Sequence, residues 1–332
     1  MPSRDWTSGF FPGVLWFLHE RTNNKEWRNE AHTYTTNLER EKTNGTTHDM
    51  GFKLYCSYGI GYRLTNEQQY KSVILEGAKT LITRFKPAVG TLRSWNHSGD
   101  KWAFPVIIDN MMNLELLFAA TRMTGDSAYF KVAVSHANTT MKHHFREDYS
   151  SYHVINYDTI TGVPKDKHTH QGFSHSSAWS RGQAWALYGY TMCYRETKDP
   201  AYLKQAEGIA GFILNHPNLP QDMVAYWDFN APNIPNEERD ASAAAIMASG
   251  LYELSLYSAN GKKYKSAADK MVYSLTTKYR SPIGENKGFI LLHSTGSKPQ
   301  KSEVDAPLSY ADYYYMEAVM RSDKLKKRQP LW

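Results

Sequence analysis

Cysteine is almost missing. In 332 residues it occurs only as Cys56 and Cys193, which excludes a disulfide framework and a thiolate metal cluster. Both lie among apolar residues in helix-patterned segments and read as buried thiols. No apolar run reaches the roughly 20 residues that a membrane-spanning helix needs. No apolar leader is visible either. Met1-Pro2-Ser3 runs straight into a motif, as in a chain shortened at its N-terminus. The compartment therefore stays open between periplasm, if a leader has been removed, and cytoplasm. A concentrated basic surface is missing as well. The net charge is +6, but the tail 321–332 carries Arg321, Lys324, Lys326, Lys327 and Arg328 against Asp323, which is four of those six charges. A solvated terminal run of this kind does not call for nucleic acid. Nothing in the chain speaks to its oligomeric state.

Aromatic residues are abundant. They make up 14% of the chain, with 23 Tyr and 9 Trp, and many Trp fall outside helical runs, which suits stacking on flat ligands such as sugar rings. A repeat organises the chain. A threonine stands five residues before an aromatic in Thr22…Trp27, Thr65…Tyr70, Thr124…Tyr129 and Thr197…Tyr202, and Ala259…Tyr264 keeps the spacing. Gly, Asn, Asp or Pro between the two marks a helix stop followed by a helix start.

Before each turn the pattern predicts a strongly apolar helix, beginning near Ser8, Met50, Asn110, Ser177 and Ala241, with a sixth near Tyr310. After each turn it predicts an amphipathic helix, over about 26–41, 67–85, 127–144, 201–215 and 263–279. Inner helices that are apolar nearly all round, paired with outer helices bearing one apolar stripe, describe two concentric layers. This is an all-α chain, read as one domain over 1–332 in the form of an (α/α)6 barrel of six helical hairpins. The first outer helix, before Ser8, is lacking. An open α-solenoid is the alternative. Small residues in the inner helices (Gly59, Gly61, Gly189, Ala243-Ala244-Ala245) favour closure. The segments 86–109, 145–177, 216–240 and 280–309 lead into the inner helices and are long. The turns on the opposite face are short. Long loops gathered on one face are where a site is expected.

Those junctions carry distinctive groups. Asp109, in Ala103-Phe104-Pro105-Val106-Ile107-Ile108-Asp109-Asn110, is a lone carboxylate in an apolar stretch. It reads as a helix N-cap, as half of a buried ion pair, or as a catalytic acid. If the barrel closes, Asp49 and Asp109 from adjacent hairpins face one another. Two carboxylates in one apolar site push their pKa values apart, so that one stays protonated near neutrality.

The motifs His48-Asp49-Met50-Gly51-Phe52, Asp109-Asn110-Met111-Met112-Asn113 and Ser180-Arg181-Gly182-Gln183-Ala184-Trp185 resemble those of the unsaturated glucuronyl hydrolases, glycoside hydrolase family 88. So do Asp5-Trp6-Thr7-Ser8-Gly9-Phe10 and Tyr310-Ala311-Asp312-Tyr313-Tyr314. The resemblance implies the (α/α)6 fold and a glycosidase that removes a 4,5-unsaturated glucuronic acid from lyase-generated oligosaccharides by hydrating the C4–C5 enol ether. Asp109 would then protonate C4 and activate water for attack at C5, while Asp49 would hold the sugar hydroxyls and tune Asp109. His153 and Gln171 would contact the sugar, Arg181 would meet the uronate carboxylate, and Trp6, Trp95 and Trp185 would wall the pocket. No metal or organic cofactor is implied.

Each assignment has a plainer counterpart. Arg181 and Trp185 can be a stacked pair on one helix surface, Trp6 can be core, and His153 can be a solvated loop histidine. His168, His170 and His175 lack the cysteine or carboxylate company of a metal site. The chain also departs from the family after Gln171-Gly172, where Phe173-Ser174-His175-Ser176 replaces two acidic residues. That loss favours a more anionic, sulfated aglycone of glycosaminoglycan or ulvan type, for which Ser294, Ser297 and Lys298 are candidate contacts. A flexible Gly/Ser loop is the competing reading there. An unsaturated rhamnogalacturonyl hydrolase of the same fold, or a binding protein that does not need Asp109, are the alternatives to this function.

Overall fold

A computed structural model describes residues 2–96 and 101–331. Among these the helical elements alternate as the repeat predicts. Apolar helices α1 (Phe10–Thr22), α5 (Leu114–Thr124), α7 (Ser180–Thr197), α9 (Ala241–Leu254) and α11 (Ser309–Lys326) alternate with α2 (Lys25–Thr36), α4 (Gln68–Ile82), α6 (Ser127–His143), α8 (Pro200–Asn215) and α10 (Gly261–Lys278). The remaining inner helix is a nine-residue π-helix, Gly51–Gly59, continued by the short α3 (Ile60–Thr65).

The threonine turns have a local cause. Thr22, Thr65, Thr124 and Thr197 each donate a hydroxyl to the carbonyl four residues back, at 2.7–2.8 Å. Each hydroxyl also accepts the amide two residues ahead, at 3.1–3.3 Å. One side chain thus closes one helix and aims the chain into the next. The residue following each threonine is left-handed: Asn23, Asn66, Gly125 and Lys198. In the fifth copy, where the threonine is Ala259, Ser258 accepts from the Asn260 amide at 3.0 Å instead. The repeat aromatics Tyr70, Tyr202 and Tyr264 are buried, whereas Trp27 is exposed.

The chain groups into two compact units, Met1–His143 with Ile155–Asp166, and His144–Val154 with Lys167–Trp332. In the first unit the hairpin α1–α2 packs on the π-helix, and α4, α5 and α6 follow. Short strands that the periodicity did not signal occupy its long connection. Phe85–Lys86 pairs antiparallel with Thr91–Leu92, and Pro105–Ile107 leads into a 3-10 turn, Ile108–Asn113, before α5. In the second unit α9 is buried along its whole length and packs against α7, α10 and α11. Its run of alanines permits that close approach.

Two expectations need correction. The basic tail does not begin at Arg321. That residue is buried on α11, with its guanidinium 3.4 Å from both Glu253 and Glu317, and only the residues after it reach solvent. Cys193 is buried as expected, but Cys56 is half-exposed.

Candidate active site

In the first unit the two aspartates lie on segments locked to one another. Asp49 stands just before the π-helix, and Asp109 is the second residue of the turn Ile108–Asn113. The Asn113 side-chain oxygen accepts the Phe52 amide at 3.1 Å. A Cβ at Gly51 would lie 2.7 Å from the Asn113 Cα, so only glycine admits this contact. The turn is also fixed from behind, because Asn110 Nδ2 donates to the Leu92 carbonyl at 3.1 Å. Ile107, and not Asp109, occupies the capping position of the turn, so the N-cap reading is set aside.

The two carboxylates are held differently. Asp49 is partly open, at 14% exposure, and both of its oxygens are occupied. Thr47 Oγ1 donates to Oδ2 at 2.5 Å, and His48 Nε2 lies 3.2 Å from Oδ1. Asp109 is 7% exposed among the buried Ile107, Ile108, Met111 and Met112. Such a setting disfavours the ionised form of a carboxyl group. His48 is buried, and burial, aided by the Arg84 charge, holds its pKa below the ordinary value despite Asp49. Beside this wall Trp6 and Trp95 remain half-exposed. Trp6 rests edge-on against Phe52 at 5.4 Å. Trp95 is tilted on Trp102 at 5.5 Å and follows Ser94, whose carbonyl accepts the His48 amide. Trp6 is therefore not plain core.

In the second unit His153 is buried, which corrects the solvated-loop reading. Its Nδ1 accepts the amides of His170 and Gln171 at 3.1 and 3.2 Å, and its ring lies 4.6 Å from that of Trp179. In the neutral ring the proton therefore sits on Nε2. Gln171 is half-buried and donates to the Gly296 carbonyl at 3.0 Å. The loop after Gln171 is organised by Asp228, which the sequence did not single out. Its Oδ2 accepts the Phe173 amide at 2.9 Å and the Ser177 hydroxyl at 2.7 Å, while burial raises its pKa.

Several expected contacts are corrected by their surroundings. Arg181 is 1% exposed, and its guanidinium donates to Asp240 at 2.9 Å and to the carbonyls of Thr295 and Gly296 at 2.5 Å. Its face lies over Trp179 and Tyr310. Its charge is spent inside the protein. Trp185 has no exposed surface and packs on Tyr314, so it is core. Ser294 is fully buried, with its backbone paired to Ala306 in both directions. The Ser297 hydroxyl donates to Gln300, and the Lys298 ammonium is clasped by Glu237 and Glu238. Burial works against the Lys298 charge, but the two carboxylates outweigh it and raise its pKa.

Asp240 emerges as a hub. It caps α9 through the Ser242 amide at 3.1 Å, accepts the Thr295 amide at 3.3 Å, and neutralises Arg181. Asp312, in the first turn of α11, accepts the Ile290 and Leu291 amides at 2.9 Å, and burial pushes its pKa up to about 7. No group of three or more His, Cys, Asp and Glu suited to a metal ion occurs among the described residues. His168 Nδ1 lies 3.4 Å from His175 Nε2, and His175 Nδ1 accepts the Thr169 amide at 3.0 Å.

The sequence model of Glycosyl Hydrolase Family 88 matches residues 1–326. The chain is 54% identical over 327 residues to the unsaturated glucuronyl hydrolase of Formosa agariphila, covering 98% of this chain and 82% of that protein. It is 33% identical over 328 residues to the unsaturated chondroitin disaccharide hydrolase of Streptococcus pneumoniae, with coverage of 97% and 82%. A crystal structure of an unsaturated glucuronyl hydrolase specific for heparin superposes with a TM-score of 0.97 at 49% identity, covering 98% of this chain and 88% of the other. That agreement gives the chain its fold, the all-α (α/α)6 barrel.

Proposed function

The chain belongs to glycoside hydrolase family 88 and is an unsaturated glucuronyl hydrolase, and from this premise we propose that Asp109 carries its chemistry with Asp49 as partner. The supporting observation is the lock between Asn113 and Gly51-Phe52, which sets the two aspartate segments side by side in an apolar wall. A glucuronyl residue with a C4–C5 double bond presents an enol ether conjugated to its carboxylate. Asp109, as the acid, gives its proton to C4, and positive charge develops at C5, stabilised by the ring oxygen. The Asp109 carboxylate then takes a proton from water as that water's oxygen bonds to C5. The hemiketal opens, the anomeric C–O bond breaks, and the aglycone leaves with its own oxygen. One water is consumed and Asp109 ends protonated, as it began. The separation rule that sorts retaining from inverting glycosidases has no bearing, since the anomeric carbon is not attacked.

Asp49, held by Thr47 and His48 but still open to solvent, accepts from the sugar hydroxyls. Trp6 and Trp95 supply apolar faces for the ring. The aglycone class we take is anionic and sulfated, because Phe173-Ser174-His175-Ser176 removes negative charge from the loop after Gln171. One relative, at 49% identity, is an unsaturated glucuronyl hydrolase specific for heparin, and another, at 33%, is an unsaturated chondroitin disaccharide hydrolase.

The test uses lyase-generated disaccharides of heparin, chondroitin and ulvan, followed by the ultraviolet absorbance of the conjugated enoate. Wild type should abolish the absorbance of at least one, and Asp109→Asn should abolish none. Absorbance that persists with every disaccharide while binding is retained would make the chain a binding protein.

A further inference from the structure

The loop after His168 is held far more firmly than a surface segment needs. Six consecutive amides, from Thr169 to Ser174, each donate to a side chain. Thr169 donates to His175 Nδ1, His170 and Gln171 to His153 Nδ1, and Gly172 to Thr169 Oγ1, at 2.7–3.2 Å. Phe173 donates to Asp228 Oδ2 at 2.9 Å and Ser174 to Ser177 Oγ at 3.0 Å. Water satisfies the amides of an ordinary surface loop and leaves its backbone free, whereas fixing that backbone costs conformational entropy. Gly172 tightens the arrangement, since a Cβ there would lie 2.6 Å from Thr169 Oγ1 and 3.1 Å from Asp228 Oδ2. Asp228 is the buried anchor. Its other oxygen accepts the Asn230 amide at 2.8 Å, and the Phe229 amide beside it donates to the Ala178 carbonyl at 3.0 Å.

What this frame holds out is an aromatic ring. Phe173 is 46% exposed, and it meets the buried Trp227 nearly at right angles, with ring centres 6.4 Å apart. Close to half of an apolar side chain thus stays in water on a backbone that is already fixed. Such a ring is a preorganised contact, because the cost of ordering it is met before a ligand arrives. A pyranose presents an apolar C–H face that suits it.

We propose that Phe173 is the platform on which the first sugar of the aglycone stacks, and that Asp228 is the positioning residue that aims it. This rests on the reading above in which the loop after Gln171 serves the aglycone, while Trp6 and Trp95 serve the glucuronyl ring. Phe173 then reads the presence of a ring in the leaving group, independent of its sulfation.

Two substrates test this. One is the heparin or chondroitin disaccharide that wild type binds more tightly. The other is the methyl glycoside of the same unsaturated glucuronic acid, which has no aglycone ring. Phe173→Ala should raise KM for the disaccharide about five- to tenfold with kcat nearly unchanged, and should leave the methyl glycoside and the thermal midpoint as they were. Phe173→Trp should restore the disaccharide KM. Asp228→Asn withdraws an acceptor from the Phe173 amide and should raise the same KM. Adding Phe173→Ala to it should then cost less than the two changes separately. Equal losses on both substrates, or no loss on either, overturn the proposal. Calorimetry in an Asp109→Asn background reads the same difference as affinity, without turnover. A fivefold loss of disaccharide affinity there, in a protein whose wild type turns over neither substrate, keeps Phe173 and removes the reaction assigned to Asp109. Disaccharide affinity that is absent, or equal with and without Phe173→Ala, removes Phe173.

Discussion

Two junctions occupy equivalent places in the helical repeat and are used in opposite ways. At the Asp49–Asp109 junction the carboxylates stand in an apolar wall, and Asp49, held by Thr47 and His48, remains partly open. At the Arg181 junction a full charge is closed from every side, by Asp240, by two carbonyls and by the faces of Trp179 and Tyr310. The first arrangement keeps acidity adjustable. The second fixes the loop 293–297 to α7 and α9. A charged residue at the start of an inner helix is therefore no guide to function until its partners are known.

The largest effect should come from the open junction. Asp109→Asn keeps the shape but cannot deliver or regain the proton, so kcat should fall by roughly 10²–10⁴-fold, as when a general acid is removed. The thermal midpoint should hardly move. A fall in stability matching the fall in rate would place Asp109 with Arg181, as a structural group. At the closed junction the order reverses. Arg181→Leu strands the Asp240 charge in the interior and should cost about 3–5 kcal/mol in chemical denaturation. Adding Asp240→Asn should recover part of that loss. If Arg181→Leu is instead stable and only raises KM, the guanidinium reaches substrate after all.

Asp312 tests the closed unit by pH. Its pKa, about 7 when folded, lies above that of an unfolded aspartate, so the folded chain holds this proton more tightly. Below about pH 4 both states are protonated and the group is neutral to stability. As pH rises from about 4 to 7 the unfolded state ionises first, so Asp312 withdraws stability, on the order of 2–4 kcal/mol over the window. Asp312→Asn should lack that slope in denaturant titrations across this range. Parallel curves for wild type and variant would remove the buried acid from the account.

How far the sequence carries depends on the reach of each interaction. The hairpins were legible because Thr22, Thr65, Thr124 and Thr197 act within six residues, and that local bonding leaves a visible spacing. The apolar setting of Asp109 was legible too, from the residues on either side. Arg181, Trp185 and Lys298 were misjudged because their partners are remote. Asp240 is 59 positions from Arg181, and Glu237 is 61 from Lys298. No spacing announces such pairs. The π-helix was hidden for a related reason. Its apolar pattern reads as α, while Gly51 is dictated by Asn113, 62 residues on.

The smallest effect is also the sharpest test of the comparison. Lys298 belongs with Arg181 if its ammonium is bound to Glu237 and Glu238 for good, and with the open junction if a sulfate can draw it away. The two possibilities differ in what Lys298→Ala does to two substrates. A lysine with permanent partners leaves two adjacent carboxylates unpaired when removed. The cost is about 0.5–1 kcal/mol of stability, because the group is about one-third exposed and screened by water. KM for sulfated and unsulfated disaccharides should then change together, by less than about threefold. A lysine that trades its carboxylates for sulfate would raise KM for the sulfated substrate alone, by about tenfold or more, since each tenfold step corresponds to about 1.4 kcal/mol. Glu238→Gln separates the cases further. It frees half of the clasp, and so should tighten the sulfated substrate only if Lys298 moves to meet it.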